Sequence, residues 1–228
     1  MGLILVENKD LDKYREGQNI GRGLEAECFF NDSVVTKIFH HPEKQVLFQE
    51  LNSKLIAFPK DILIGYDNLV YAYTMSFFEG KKIKNGFPTL LMLKNLKEAY
   101  IKLRREIQKF DDVCMYDLTL DNILFDINSN ILSIIDTSQF EQKLNSSSLN
   151  IKKLDKALLV SLCRGNLDWL NYYMNKSREL FNAYRCYKLG YDIPFLEFLG
   201  CVEEEIISKY SKNLETIGDL VPKVKKRP

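Results

Sequence analysis

The stretch Tyr116-Asp117-Leu118-Thr119-Leu120-Asp121-Asn122-Ile123-Leu124-Phe125-Asp126, followed by Ile134-Ile135-Asp136-Thr137-Ser138, decides how this chain is read. Two apolar runs flank the turn residues Asn128-Ser129-Asn130, so the pattern predicts a β-hairpin. Asp117 and Asn122 open the first run and Asp136 ends the second. Pairing of the two strands would bring Asn122 close to Asp136, giving hard oxygen ligands for Mg²⁺, with Asp117 a short distance away as a base. Either half alone also fits turn-capping Asp and Asn, the usual role of these residues.

Upstream, Lys37 lies in the strand-like run Val34-Val35-Thr36-Lys37-Ile38-Phe39, where alternation points it to the same face as Val35 and Phe39. An inward lysine needs an anion. Glu50 lies between Leu47 and Leu51 on an apolar stripe and is equally costly to bury alone, so the two are natural partners. A lysine at a sheet edge and a glutamate on a helix flank remain the ordinary alternative. Gly21-Arg22-Gly23, with Ala26 where a third glycine could stand, lets backbone amides approach phosphate, although a lone Gly-x-Gly is usually a plain turn. It falls between two predicted strands, which disfavours a Rossmann or P-loop reading.

The first third of the chain reads as hairpins. Ala26 to Phe30 and Val34 to Phe39 flank Asn31-Asp32-Ser33; Ile62 to Tyr66 and Leu69 to Phe78 flank Asp67-Asn68. Between them, Pro42 to Ala57 has helical spacing of Val46, Leu47, Leu51 and Leu55, and Pro59 ends it. After Glu79-Gly80 the period changes. Leu93, Leu96, Ala99, Tyr100, Leu103, Ile107 and Phe110 predict an amphipathic helix over about Thr89 to Phe110, and most of the chain beyond Leu149 is again helical in period. A strand-rich part, residues 1–78, thus passes through Ser76 to Gly80 into a larger helical part, residues 79–228.

In order along the chain, Gly21-x-Gly23, Lys37, Glu50, Asp117 with Asn122, and Asp136 resemble the signature set of the protein-kinase-like superfamily, over roughly Ile20 to Ser138. The resemblance implies an α+β, bilobal fold: a small antiparallel β-sheet lobe with one helix, and a mainly helical lobe. It also implies ATP and Mg²⁺ as cofactors and phosphoryl transfer to an alcohol, with a protein Ser or Thr as the first acceptor class, the chain itself included. On that pattern Asp117 orients and accepts the proton of the attacking hydroxyl, while Asn122 and Asp136 hold metal. Lys37 binds the α- and β-phosphates and Glu50 fixes its position, with Glu43 a rival for that place. Gly21 and Gly23 cover the phosphates, Met75 stands near the gatekeeper, and Ser76, Phe77 and Phe78 offer backbone groups to adenine.

The chain also departs from the pattern. Met115 and Tyr116 replace the His and Arg before the catalytic Asp, which removes the cation that receives a phosphorylated activation loop. Thr119 stands where a phosphate-contacting Lys, or a His in small-molecule kinases, is usual. Thr137-Ser138 replaces Phe-Gly, and the span to Asn150 is short. Two further readings therefore stand beside the first: a small-molecule kinase like the aminoglycoside and choline kinases, and a pseudokinase that serves as an interaction module. Asp155, near the start of a predicted helix from about Leu154 to Leu162, is either a support for the catalytic loop or an ordinary helix acid.

Bulk properties exclude other classes. Thirty-two basic and 31 acidic side chains leave no field that would draw the protein to nucleic acid or an anionic membrane. Five scattered cysteines, Cys28, Cys114, Cys163, Cys186 and Cys201, show no metal-ligand spacing and suggest a reducing compartment. Leu3 to Val6 is too short for a signal core, so a cytoplasmic location is expected. His40-His41 read as a loop. Trp169, Tyr172, Tyr173, Phe181, Tyr184 and Tyr187 read as helix packing, and the basic run from Val221 to Pro228 as a solvated end.

Overall fold

A computed structural model describes residues 2–43, 51–85, 90–164, 175, 177–191 and 193–203. The first six strands are β1 (Gly2–Leu5), β2 (Gln18–Arg22), β3 (Ala26–Asn31), β4 (Val34–Glu43), β5 (Asp61–Ile64) and β6 (Val70–Ser76), with a short helix α1 (Asp12–Arg15) after β1. They form one sheet in the order β1-β5-β6-β4-β3-β2. The β3–β4 turn is tight because Asp32 and Ser33 both adopt positive φ, 46° and 72°, the twist that two-residue hairpins favour. The sheet is antiparallel except at one edge, where β1 runs parallel to β5. β1 arrives from outside the hairpins, so its direction and register are set by β5 rather than by a turn.

Alternation divides the sheet into two faces. Ala26, Val35, Phe39, Ile62, Val70, Tyr73 and Met75 pack on one, against Ala57 and the partly buried Ile135. Phe29, Ile38, Leu63 and Ala72 pack on the other, with Val6 and Leu11. Lys37 follows the first set by the same two-residue period. The inward ammonium is thus a consequence of strand register.

Two expectations for this region are corrected. Residues 42–57 do not form a helix where they are described: β4 continues to Glu43, taking His40 and His41 out of the predicted loop and into the strand, and residues 51–57 carry no helix. The apolar residues of that segment are used in another way. Ile56 forms a parallel bridge with Ile134, while Ile134 N–H donates to Leu55 O (2.8 Å) and Ala57 N–H to Ile134 O (2.9 Å). Tertiary pairing with an existing strand satisfies the backbone as well as a helix would, so the periodicity alone could not decide.

Beyond Gly80 come β7 (Lys81–Lys82), α2 (Leu90–Gln108), β8 (Val113–Met115), β9 (Ile123–Asp126), β10 (Ile131–Ile134), β11 (Phe140–Gln142), α3 (Ser147–Arg164), α4 (Arg178–Lys188) and α5 (Phe195–Val202). The stripe Leu93, Leu96, Tyr100, Leu103 and Ile107 of α2 is fully buried, and so are Leu154, Leu158 and Leu162 of α3. Each such side chain contributes about 1.5–3 kcal/mol by leaving water. Phe195, Phe198 and Leu199 of α5 belong to the same core. Phe181 is exposed rather than packed, because it lies on the side of α4 away from the buried Leu180; Trp169, Tyr172, Tyr173 and the side chain of Tyr187 lie outside the described residues, as does the basic run 221–228. Among the described residues no helix is long and apolar enough to cross a membrane.

Gly80 links the two parts under a steric constraint. Its φ is +130°, and a Cβ there would lie 2.8 Å from the carbonyl carbon of Phe125, so only glycine lets the linker pass this close to β9.

Candidate functional site

The β9–β10 hairpin forms as the sequence predicts, with Asp126 paired to Ile131 and Ile123 to Ile134. Its turn is held by Asp126, whose carboxylate accepts from the Asn128 amide (3.0 Å) and the Ser129 hydroxyl, and by Asn130 at φ +55°. Just past the paired ends, Ile135 N–H donates to Asn122 O at 2.8 Å. Asn122 and Asp136 therefore flank a continuing ladder.

Asn122 is buried, and its carboxamide nitrogen donates to both the backbone oxygen (2.9 Å) and the carboxylate Oδ2 (2.6 Å) of Asp117. The amide nitrogen is spent on holding Asp117, which leaves the carboxamide oxygen as the atom that could take a cation. Asp117 itself is half-buried, two residues beyond the end of β8.

From the sheet side, the Lys37 ammonium, 4% exposed, donates to Asp136 Oδ1 and to the Ser138 hydroxyl (3.0 Å). Ser138 Oγ in turn donates to the same Asp136 oxygen at 2.7 Å. Burial alone would push the Asp136 carboxyl up; the charge and hydrogen bond of Lys37, with the hydroxyl and backbone amide of Ser138, hold it below the ordinary carboxylate value. Asp136 sits at φ +58°, a conformation that costs a non-glycine residue about 1–3 kcal/mol and persists only where its surroundings impose it. Thr137 supplies part of that constraint, since its buried hydroxyl donates to Ala57 O at 2.9 Å.

Two further groups line this place. Tyr73, register partner of Lys37 in β6, is fully buried and its hydroxyl has no hydrogen-bond partner. Burial, reinforced by the charges of Asp136 and Cys28, pushes this phenol well above its usual value; the hydroxyls of Thr137 and Ser138 lie near enough to oppose the shift without completing a bond. Cys28 is likewise raised, by burial first and by Asp136, with Lys37 pulling the other way. Neither group is poised to ionise near neutrality.

The remaining residues named from the sequence sit as follows. Gly21 pairs with Cys28 at the end of β2, and Gly23 N–H donates to Ala26 O (2.8 Å). A Cβ on Gly21 would meet nothing within 4 Å, and on Gly23 only Ala26 O at 3.7 Å. Met75 is buried in β6 opposite Val35. The Phe77 ring packs on Phe30 at 4.4 Å, and its amide donates weakly to Ser33 O at 3.4 Å, so that amide is directed to the β3–β4 turn. Glu50 lies outside the described residues; Glu43 ends β4 at the surface.

Four contributors were missed by pattern. Ser138 was read only as a lost glycine, yet it bridges Lys37 and Asp136. His40 steadies the glycine segment, its Nε2 lying 3.1 Å from Gly23 O. Asn150, fully buried on α3, accepts from Met115 N–H (2.9 Å) and donates to Val113 O (2.7 Å). Lys153 donates to the backbone oxygens of Met115 (3.1 Å) and Tyr116 (3.0 Å). Strand β8 and Tyr116, which lead into Asp117, are therefore held by Asn150 and Lys153. Asp155 instead accepts the Tyr100 hydroxyl at 2.6 Å. A usable signal existed for Asn150: it shares a helix face with Leu154 and Leu158, and a polar residue on a buried face must have partners.

No family model and no curated protein matches this chain by sequence. Among solved structures it is similar to an apo pseudokinase, with TM-score 0.50 at 10% identity, over 77% of this chain and 78% of the other. At that identity the likeness shows the fold alone. The chain has the α+β, two-lobed fold of protein kinases, a sheet lobe above a mainly helical lobe.

Proposed function

We propose that the protein is an ATP- and Mg²⁺-dependent phosphotransferase acting on an alcohol group, in the first instance a protein Ser or Thr, its own included. The observation that carries this reading is the meeting of a buried ammonium, Lys37, with the half-buried carboxylate of Asp136 at a strained backbone position, beside an Asp117 held by Asn122. A fold that needed only packing would gain nothing from that group of charges, because burying an ion pair is seldom better than apolar packing.

The donor set fits the implied groups. Asp136 and the carboxamide oxygen of Asn122 are hard oxygen donors suited to Mg²⁺, and Lys37 is a point charge suited to phosphate. Neither packing nor positive φ demands glycine at Gly21 or Gly23, so close approach of a ligand is a physical use for both. Bound Mg²⁺ would neutralise phosphate charge. Lys37 would turn from Asp136 towards the phosphates, Ser138 would keep the Asp136 carboxylate oriented, and Asp117 would orient the acceptor hydroxyl and take its proton at a carboxylate oxygen.

A second acceptor class is favoured by a specific feature. Only residues 137–146 separate Asp136 from the start of α3, and part of that segment is tied down as β11 against β8. Little chain is left to form a platform for a peptide, which suits a small-molecule alcohol.

A thermal-shift titration with ATP, with and without Mg²⁺, tests the shared premise: melting should rise with nucleotide, and more with metal. No shift, or the same shift without metal, sinks the enzyme reading and leaves a binding module. Incubation with labelled ATP then divides the acceptors. Label appearing on protein supports the first class; turnover only on addition of a small alcohol supports the second.

A further inference from the structure

Tyr73 is fully buried in β6, and among the described residues its hydroxyl has no hydrogen-bond partner. Few buried hydroxyls are left so, because the hydration given up on folding is then not replaced. Packing does not account for the group. A phenylalanine ring would fill the place as well, as Phe39 does with its ring centre 5.9 Å away.

The surroundings show what the hydroxyl could serve. Tyr73 and Lys37 are register partners across β6 and β4, so their side chains leave the same face of the sheet side by side. Both approach the turn after Asp136. Lys37 donates to Asp136 Oδ1 and to the Ser138 hydroxyl, and the phenol lies close enough to the Thr137 and Ser138 hydroxyls for both to act on it. The Thr137 proton is committed to Ala57 O (2.9 Å) and the Ser138 proton to Asp136 Oδ1 (2.7 Å). Each of these oxygens can therefore only accept from Tyr73. The Ser138 oxygen already takes a charged donor, the Lys37 ammonium at 3.0 Å, and a charged donor outcompetes a neutral one.

That balance changes once the ammonium leaves. In the function proposed above, phosphate draws Lys37 away from Asp136; Ser138 keeps its bond to Asp136 but loses its own donor. The unpaired phenol is the neutral donor beside it.

Resting on that reading of the cleft, we propose that Tyr73 is a positioning residue for nucleotide binding: its hydroxyl takes over the Ser138 oxygen when Lys37 turns to phosphate, and so keeps Ser138 aimed at Asp136. The hydroxyl is unpaired in the free protein and paired in the bound one. Tyr73 acts through Ser138 and not on the phosphates.

A mutant cycle without nucleotide tests the takeover, with Lys37→Met imitating departure of the ammonium. In chemical denaturation, Tyr73→Phe should leave the parent as stable or make it more so, because an unpaired hydroxyl is removed. In the Lys37→Met background the same change should lower the folding equilibrium constant about fivefold, the worth of one neutral hydrogen bond. Equal effects in the two backgrounds overturn the takeover. Calorimetric titration of the full chain with ATP and Mg²⁺ then tests its use. Tyr73→Phe should weaken binding about fivefold, and should do nothing further in a Ser138→Ala background, where the acceptor is gone. Affinity unchanged by Tyr73→Phe, or weakened equally with and without the Ser138 hydroxyl, overturns the positioning role. A parent that shows the nucleotide-free coupling but no affinity for ATP sinks the phosphotransferase reading and leaves the takeover standing.

Discussion

Asp117 and Asn122 are five residues apart and meet within one loop, whereas Lys37 and Asp136 are 99 apart and meet across the junction between sheet and helices. The first pair is held by its own chain and by two α3 side chains beneath it. The second depends on four separate constraints: strand register for Lys37, the hairpin for Asp136, Ser138 between them, and the Thr137 bond to Ala57. A local arrangement survives small movements of the lobes, while a long-range one reports them. The half of the site assigned to the acceptor hydroxyl is thus prebuilt, and the half assigned to phosphate is a contact between two bodies.

The largest effect should come from the local half. Asp117→Ala should lower phosphoryl transfer by about 10²–10⁴-fold with little change in melting temperature, measured as ATP turnover beside a thermal scan. A large loss of stability would show that Asp117 belongs to the architecture of the loop instead.

Next in size is the support beneath it. Asn150→Leu strands the Met115 amide and the Val113 carbonyl in a fully buried place, where each unpaired group costs about 1–3 kcal/mol. Chemical denaturation should show that loss, and Asn150→Asp, which turns a buried carboxylate towards the Val113 carbonyl, should cost at least as much at neutral pH.

For the long-range half, Lys37→Met removes the cation beside Asp136. Breaking a fully buried pair costs about 3–5 kcal/mol, but the Asp136 side chain is 36% exposed, so about 1–2 kcal/mol is expected by denaturation, with loss of any nucleotide-dependent thermal shift. A stability unchanged from the parent would mean that the two lobes are held together without this contact.

The smallest effect is on acid stability. The Asp136 carboxyl is depressed in the folded state, so the unfolded chain binds its proton first and the group stabilises the fold above the ordinary value of 3.8. That contribution is lost as pH falls from there through the depressed folded value. The parent should therefore lose stability more steeply than Asp136→Asn over that acid range. Parallel curves would refute the depression.

The comparison also explains which parts could be read from the chain. Hairpins β3–β4, β5–β6 and β9–β10 were legible because turn residues and two-residue alternation act over a few positions, and α2 because its stripe repeats over five turns. The helix expected over 42–57 is absent at its described ends, 42–43 and 51–57, because apolar residues at helical spacing such as Leu55 and Ile56 also suit pairing with a strand; residues 44–50 lie outside the described residues. Ser138 and His40 were invisible as contributors, since a hydroxyl or an imidazole declares its partner only when distant segments meet.

The sequence by itself determined the two-lobed class, the inward face of Lys37 and the hairpin whose ends carry Asn122 and Asp136, because each follows from backbone periods that repeat over short distances. Only the tertiary structure decided that Lys37 meets Asp136 beside Ser138, that the segment before Pro59 pairs with β10, and that Asn150 and Lys153 hold β8 and Tyr116 ahead of Asp117. Those contacts join residues 35 to 101 positions apart, and no local pattern encodes which of many compatible partners a polar group will find once the core has closed.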